Sequence, residues 1–297
     1  MTAIIVHGGA GAVEPERHAR LRDGVRAAAA AGDAILAAGG AALDAVVAAV
    51  RVLEDDPEFN AGRGSALTRD GTVETDASIM CGATHRVGAV AAVPDLGNAI
   101  ALARAVLDAN EHAILGGAAA WQFAAEVGIA PAPPGSLITE RARTRLAAKL
   151  HPSSGGTVGA VARDRDGRFA AATSTGGIVG KRAGRIGDSP IPGAGTWADA
   201  NVALSATGDG EAILRIALTR SIAARATLGD EPDLRAAIIA ELRELARITG
   251  GSAGVIGVDR SGVVGVQLSK TMPVAWIERS RPGDSMGYEV EVRGLPT

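Results

Sequence analysis

Apolar residues recur along the chain with two different spacings. Helical spacing, with apolar positions three and four residues apart, covers 15–31, 41–53, 98–109, 117–127, 211–228 and 232–249. Short apolar or alternating runs, which are typical of strands, cover 3–6, 66–68, 73–80, 87–93, 158–163, 169–174, 201–206, 253–259, 263–268 and 274–277. Both kinds of element occur in each half of the chain.

The halves are separated by the segment 129–156, which is rich in Pro, Gly and Ser and contains a charged, helix-prone piece at 140–150. We interpret this segment as a surface linker. Strands and helix pairs on both sides of it predict an α+β fold in which sheets stack centrally and helices lie outside. The length of 297 residues fits one large domain or two ordinary ones, and length alone does not decide between them.

The composition indicates which residue types fill the core. Hydrophobic residues make up 47% of the chain and aromatic residues only 2%, so Ala, Val, Leu and Ile must fill the interior. The 40 glycines are clustered rather than periodic, which indicates tight turns and close backbone approaches.

Charge and cysteine content exclude several classes of function. Thirty basic and 33 acidic residues give a formal charge of −3, without a basic stripe, so we expect no nucleic-acid partner. The single cysteine, Cys81, excludes an internal disulfide and any multi-cysteine metal site. The N-terminus has no basic region, and no apolar run reaches the ~18–20 residues of a membrane span. We therefore expect a cytoplasmic protein without a membrane partner.

Candidate chemistry centres on Thr157, which follows two glycines and opens the strand predicted at 158–163. A threonine at a new N-terminus would carry a hydroxyl nucleophile and a free α-amine with a pKa of about 7.7–8.0, so one residue would supply both nucleophile and base. No other part of the sequence offers a comparable pair, since the histidines are scattered and no G-x-S-x-G elbow is present. Threonine is also a common structural residue at the start of a strand.

The stretch beginning at Gly155, GGTVGAVARDRDGRFAAATSTGGIVGKRAGRIGDSPIPGAG, resembles the β-subunit start of the plant-type asparaginase and isoaspartyl peptidase family of N-terminal-nucleophile hydrolases. Family-like motifs occur in family order across nearly the whole chain: HGGAGA, LEDDPEFNAGRGS, DASIM, RVGAVAAV and SATGDGE. The resemblance implies a four-layer αββα sandwich that cleaves itself between Gly156 and Thr157. The products would be an α subunit of residues 1–156 and a β subunit of residues 157–297, which relatives assemble as dimers of αβ units.

The resemblance also assigns site residues. Thr157 would be the nucleophile, with Thr175 beside it and Asn60 helping to position it. Thr207 and the Gly208 amide would form the oxyanion hole. The substrate's α-carboxylate and α-amine would be gripped by Arg185 and Asp188, with Gly210 in the same pocket. A structural sodium ion would be held mostly by the backbone carbonyls of Leu53, Glu54, Asp56, Phe59, Ala61 and Arg63. No organic cofactor is expected.

The implied activity is hydrolysis of β-aspartyl amide bonds in asparagine or isoaspartyl dipeptides. Two alternatives remain open at this point. A glycosylasparaginase shares the GRxGDSP motif, and an amino-acid-binding protein could keep Arg185 and Asp188, here called the clamp, without cleaving itself. Thr175 could be a buried strand-end hydroxyl, and Arg185 and Asp188 could form a mutual surface ion pair.

We expect Cys81 to be buried and inert. The segment 267–273, QLSKTMP, departs from the family's FNT-type sequence and leaves substrate breadth open.

Overall fold

The computed structural model describes residues 1–148, 156–227, 233–269 and 271–287. Its strands are β1 Ala3–His7, β2 Glu74–Cys81, β3 Val87–Pro94, β4 Ile114–Gly116, β5 Val158–Arg163, β6 Phe169–Thr175, β7 Thr196–Ala198, β8 Ala203–Gly208, β9 Ala253–Val258, β10 Val263–Gln267, β11 Val274–Glu278 and β12 Arg281–Ser285. Its α-helices are α1 His18–Ala37, α2 Ala42–Asp55, α3 Ala99–Ala109, α4 Ala120–Glu126, α5 Glu140–Ala147, α6 Gly210–Ile216, α7 Leu218–Ala226 and α8 Leu234–Thr249.

The strands form two sheets. The larger has eight strands in the order β12-β11-β1-β5-β6-β2-β3-β4, and the smaller has four in the order β10-β9-β8-β7. Neighbouring strands are antiparallel except for the parallel pair β3 and β4. The α+β class predicted from the sequence is confirmed.

Alternate residues of each strand face different apolar clusters, as the two-residue period of a strand requires. Ile4 of β1 packs with residues of α1, α2 and α3, whereas its neighbour Ile5 packs with residues of the smaller sheet. Likewise Val255 of β9 packs against α7 and α8, and Ile256 packs toward the larger sheet. Helices therefore cover the outer face of each sheet, and the inner faces meet.

Several element boundaries differ from the sequence-based predictions. The helix predicted over 211–228 is broken by Ala217, whose left-handed backbone (φ 48°) ends α6 and begins α7. The strand predicted at 66–68 is reduced to bridges at Leu67 and Thr68. The strand predicted at 201–206 begins at Ala203 because Asp199 turns the preceding backbone, and it extends to Gly208. Short β4, β7 and β12 were not predicted.

The predicted linker contains α5, and residues 149–155 within it lie outside the described residues. Helix α5 begins at a Thr139 cap, whose hydroxyl accepts from the Ala142 amide. Among the described helices, none combines the length and apolar character needed to cross a membrane.

Candidate active site

Thr157 and Thr175 face each other across two neighbouring strands. Strands β5 and β6 pair antiparallel with Val158 opposite Ser174, so the residue before β5 meets the last residue of β6. The Thr157 hydroxyl donates to Thr175 Oγ1 at 3.2 Å, and the Thr175 hydroxyl donates to the Gly156 carbonyl oxygen at 2.9 Å. The Gly177 amide donates to the same Thr175 oxygen at 2.9 Å. Thr175 thus uses its one donor and two acceptor positions.

The side chain of Asn60 holds the Gly156 carbonyl from a second direction. Its Nδ2 donates to the carbonyl oxygens of Gly156 at 2.6 Å and Gly177 at 2.7 Å, while its Oδ1 accepts from the Ala66 amide at 2.6 Å. Only 5% of Asn60 is exposed, so these bonds are shielded from water. The carbonyl that precedes Thr157 therefore accepts hydrogen bonds from both Asn60 and Thr175.

The loop after β1 packs directly on the Gly156–Thr157 bond. A Cβ atom on Gly9 would lie 3.1 Å from Gly156 Cα and 3.1 Å from Thr157 N, and Gly9 has a φ of 105°. The next residue, Ala10, donates its amide to Thr207 Oγ1 at 3.0 Å. Since this bond uses an acceptor position of Thr207, the hydroxyl proton remains free to point elsewhere. The sequence indicated a close backbone approach at HGGAGA but not what the loop approaches.

Thr207 and Gly208 are the last residues of β8, at the edge of the site. Thr207 is fully buried, and Gly208 lines the same small pocket as Thr157, Thr175, Arg185 and Asp188. Gly208 has a φ of 140°, and a Cβ there would lie 2.5 Å from the Ser252 carbonyl oxygen. Glycine is therefore required both by backbone conformation and by space.

Arg185 and Asp188 border this pocket without pairing with each other. Arg185 forms a two-bond ion pair with Glu211, at 2.9 and 2.8 Å. Asp188 is 4% exposed, and its Oδ2 has no hydrogen-bond partner among the described residues. Burial raises the pKa of Asp188 to about 7, against the opposing effect of the Arg185 charge. The alternative of a mutual surface ion pair does not describe this geometry.

Gly210 leaves room for both charged groups. A Cβ on Gly210 would lie 2.7 Å from Asp188 Oδ1 and 2.9 Å from Arg185 Nη2. The pocket enclosed by these residues has a cavity volume of only about 10 Å³ in the uncut chain, about the space of one water molecule. Gly156 forms part of its wall. An amino-acid substrate would not fit until that wall moves.

A buried polar chain that the sequence did not predict runs between the two sheets behind Thr157. It begins at His7, which pairs with Gly159 of β5, and its Nε2 lies 2.9 Å from Ser205 Oγ. From there hydroxyl groups follow in the order Ser205, Thr173, Thr196 and Ser78, with oxygen separations of 2.8, 2.6 and 2.7 Å. Burial lowers the pKa of His7 to about 3, so its imidazole is neutral at pH 7. His7 is therefore suited to hydrogen bonding rather than to holding charge.

The carboxyl groups of Asp76 and Glu54 lie buried next to the site, a position that the sequence did not predict; Glu54 was expected to contribute only its backbone carbonyl. Asp76 pairs with Thr175 across β2 and β6, and its Oδ1 accepts from the Ala92 amide at 2.6 Å. Glu54 Oε1 accepts from the Ser174 hydroxyl at 2.6 Å and so connects α2 to β6. Burial raises the pKa of Asp76 and raises that of Glu54 to about 7. The DASIM and LEDD motifs that contain these residues contribute to the family resemblance. The motifs do not indicate that the two carboxyl side chains point inward; the folded structure shows it.

The loop predicted to hold sodium folds back on itself at two glycines. A Cβ on Gly62 would lie 2.5 Å from the Glu54 carbonyl oxygen, and one on Gly64 would lie 2.6 Å from the carbonyl oxygens of both Pro57 and Phe59. The Glu54 carbonyl also accepts from the Arg63 amide at 2.7 Å, and the Asp56 carbonyl from the Phe59 amide at 3.2 Å. Each carbonyl oxygen has a second lone pair, and carbonyl oxygens are ligands that a hard cation accepts.

Cys81 and the divergent segment have clear positions. Cys81 is 8% exposed and packs in the cluster between the larger sheet and its helices, so its predicted burial is confirmed.

In the divergent segment 267–273, Thr271 exchanges two backbone hydrogen bonds with Gly11, each 2.9 Å, and the Pro273 carbonyl accepts from the Gly8 amide at 2.9 Å. The divergent segment therefore supports the loop that packs on the Gly156–Thr157 bond. Lys270 lies outside the described residues.

Comparison with known proteins identifies the family of the chain. A family model described as asparaginase matches residues 1–285. The chain belongs to this asparaginase family. The family has the N-terminal-nucleophile hydrolase fold, which confirms the resemblance drawn from the motifs.

Individual members of the family match most of the chain. The isoaspartyl peptidase/L-asparaginase of Rattus norvegicus is 43% identical, over 99% of this chain and 92% of its own length. The Bos taurus protein of the same name is 45% identical, over 92% of each chain. The plant-type L-asparaginase of Pyrobaculum calidifontis is 44% identical, over 88% of this chain and 92% of its own.

Proposed function

We propose that this protein hydrolyses β-aspartyl amide bonds, in isoaspartyl dipeptides and asparagine, with Thr157 as an N-terminal nucleophile released by self-cleavage. The observation that carries the proposal is the pair of donors on the Gly156 carbonyl, with the Thr157 hydroxyl bonded to one of them. The relatives named isoaspartyl peptidase/L-asparaginase support the same reaction class.

Maturation uses the hydrogen bonds already in place. Thr157 Oγ attacks the Gly156 carbonyl carbon and passes its proton to Thr175, which passes its own proton to the carbonyl oxygen. When the C–N bond breaks, the hydroxyl proton of this intermediate passes to the Thr157 nitrogen and the C=O bond re-forms, which leaves an ester between Gly156 and the Thr157 oxygen. Water then hydrolyses the ester, and the products are a Gly156 carboxylate and a free Thr157 amine. Asn60 stabilises the oxygen that gains electron density.

Catalysis repeats this chemistry on a substrate. Arg185 binds the α-carboxylate as a guanidinium fork, and ionised Asp188 binds the α-ammonium. Thr157 Oγ attacks the β-carbonyl carbon while its own amine accepts the proton and delivers it to the leaving nitrogen. The Thr207 hydroxyl and the Gly208 amide donate to the oxyanion. Water, deprotonated by the same amine, then releases aspartate from the ester.

Several finer features belong to this proposal. The stacking of helices, sheet, sheet and helices supports the αββα sandwich, cut into chains 1–156 and 157–297. Carbonyl oxygens of the 53–63 loop support a structural sodium ion with no part in the chemistry. Assembly into a dimer of αβ units and a cytoplasmic location stay predictions, and light scattering of the cleaved protein would test the first.

A maturation gel and a substrate panel test the proposal together. The purified chain should separate on a denaturing gel into fragments ending and beginning at the Gly156–Thr157 bond, and Thr157→Ala should stay intact. Cleaved protein should release aspartate from β-aspartyl-leucine and asparagine. A chain that stays whole and inactive would support an amino-acid-binding protein, and exclusive turnover of glycosylated asparagine would support a glycosylasparaginase.

A further inference from the structure

A second and larger cavity adjoins the Arg185–Asp188 pocket at Gly156. Its volume is about 420 Å³. It is lined by the loop of residues 8–14, by three arginines, Arg17, Arg141 and Arg145, by the carboxylate of Glu58, and by Leu21, Phe59, Asn60 and Pro273. Gly156 lines both cavities. The bond that would be cut therefore lies between a small pocket bordered by Arg185 and Asp188 and a larger cavity lined by three guanidinium groups.

The three arginines differ in what they bind. Arg17 forms an ion pair with Glu58 at 2.7 Å, and Arg141 donates to the carbonyl oxygens of Pro57 at 2.8 Å and Glu58 at 2.6 Å. Arg145, one turn further along α5, makes no hydrogen bond or ion pair with any residue in the described ranges. Burial, together with the nearby Arg17 charge, lowers the pKa of the Arg145 guanidinium. The cavity thus holds a half-buried cation that has no partner among the described residues, and an anion there would compensate its charge.

The shape of an isoaspartyl dipeptide matches the two cavities. Its aspartyl end carries the α-amine and α-carboxylate, its amide carbonyl lies in the middle, and its leaving amino acid ends in a second carboxylate. When Arg185 and Asp188 hold the aspartyl end and Thr157 attacks the carbonyl, the leaving amino acid must extend away from the small pocket. The Arg145 cavity adjoins the small pocket at Gly156 and offers the space for it.

We propose that the cavity lined by Arg17, Arg141 and Arg145 is the leaving-group site, and that Arg145 binds the carboxylate of the amino acid released from an isoaspartyl dipeptide. This inference rests on the proposed function. Arg145 is thus a residue that selects dipeptides over asparagine, whose leaving group is ammonia and reaches no part of the cavity. The new Gly156 carboxylate of the 1–156 chain has the same chemistry and is the other anion that could occupy the site.

Substrate changes test the proposal without altering the protein. Cleaved wild-type enzyme is assayed on β-aspartyl-leucine, on the same dipeptide with its leucine carboxylate converted to an amide, and on asparagine. We expect KM for the amidated dipeptide to be about tenfold higher than for β-aspartyl-leucine, which corresponds to about 1.4 kcal/mol. Equal KM values would overturn the assignment. No turnover of any of the three would instead refute the proposed function.

Arg145→Ala supplies the matching change in the protein, with Arg143→Ala as control. Arg143 lies on the same helix, is 62% exposed in its side chain and pairs with Glu140. On fully cleaved protein, Arg145→Ala should raise KM about tenfold for β-aspartyl-leucine only, and Arg143→Ala should change nothing. Equal loss on all three substrates would overturn the proposal. The proposal would also be overturned if Arg145→Ala lowered the melting temperature of the cleaved protein but not that of the uncut Thr157→Ala protein. That result would place the Gly156 carboxylate on Arg145.

Discussion

Asn60 Nδ2 lies 2.6 Å from the carbonyl oxygen of Gly156. That distance is in the range of a strong hydrogen bond, and the amide group is held in place from its other side by the Ala66 and Gly177 backbone. The donor is therefore positioned before any charge develops on the oxygen. Preorganised donors of this kind stabilise a tetrahedral oxyanion without reorganisation during the reaction.

Replacing this donor should slow maturation. We expect Asn60→Ala to reduce the rate of Gly156–Thr157 cleavage by about 10²–10³-fold, the usual cost of losing one oxyanion donor. A denaturing gel sampled over time measures the rate directly. Asn201→Ala, an exposed asparagine on the far side of β8, should cleave at the wild-type rate. Equal rates for Asn60→Ala and wild type would remove Asn60 from the maturation chemistry.

Gly9 offers a test of the close approach of backbone to the scissile bond. Gly9→Ala should slow cleavage by about tenfold or more, because its Cβ would press on Gly156 Cα and Thr157 N, both 3.1 Å away. Gly71→Ala is the matched control, since Gly71 also has positive φ (79°) but would meet nothing within 4 Å. If Gly9→Ala cleaves as fast as Gly71→Ala, neither the contact nor the backbone strain at Gly9 affects cleavage.

Local patterns predicted much of this architecture. Alternating apolar residues predict strands β5 and β6, and Asp166-Gly167 predicts the turn between them. Antiparallel pairing of these strands places Thr157 opposite Thr175. The apolar stripe of α2 was likewise visible in the sequence and is buried as predicted. Such features depend on neighbours within about twenty residues, which sequence periodicity captures.

Contacts between distant segments could not be predicted in the same way. Ala10 and Thr207 are hydrogen-bonded although 197 residues separate them, and His7 and Ser205 are separated by 198. Their pairing depends on how the two sheets stack, which no local spacing encodes. The cavity around Arg145 has the same origin, because α5, α1 and the loop after β1 meet only in the folded chain.

A substitution at Gly210 tests whether Arg185 and Asp188 bind the substrate, without removing either charge. Gly210→Ala would place a methyl group 2.7 Å from Asp188 Oδ1 and 2.9 Å from Arg185 Nη2. We expect KM for β-aspartyl-leucine and for asparagine to rise by a similar factor, about tenfold or more, because both substrates present the same aspartyl end. Gly116→Ala, whose Cβ would make an ordinary 3.5 Å contact with the Ala91 carbonyl, should leave KM unchanged. An unaltered KM in Gly210→Ala would show that substrate does not enter this pocket.

The buried Asp188 carboxyl should leave a signature in the pH dependence of stability. Burial raises its pKa from 3.8 to about 7, so between these values the folded chain holds a proton that the unfolded chain has released. The contribution of Asp188 to the free energy of unfolding should therefore be largest below about pH 4 and fall as the pH rises toward 7. Asp188→Asn cannot ionise, so its stability should fall less over this interval.

Measuring this effect requires a chain that does not cleave. Urea unfolding of Thr157→Ala and of the double variant with Asp188→Asn, at pH 5 and pH 7.5, gives the two slopes. Glu54, whose pKa is raised by burial in the same way, contributes equally to both proteins and cancels in the comparison. Asp166→Asn, at a side chain that is 58% exposed, should follow the parent curve. Parallel curves for Asp188→Asn and its parent would show that Asp188 is already ionised in the folded chain, held by Arg185 in spite of its burial.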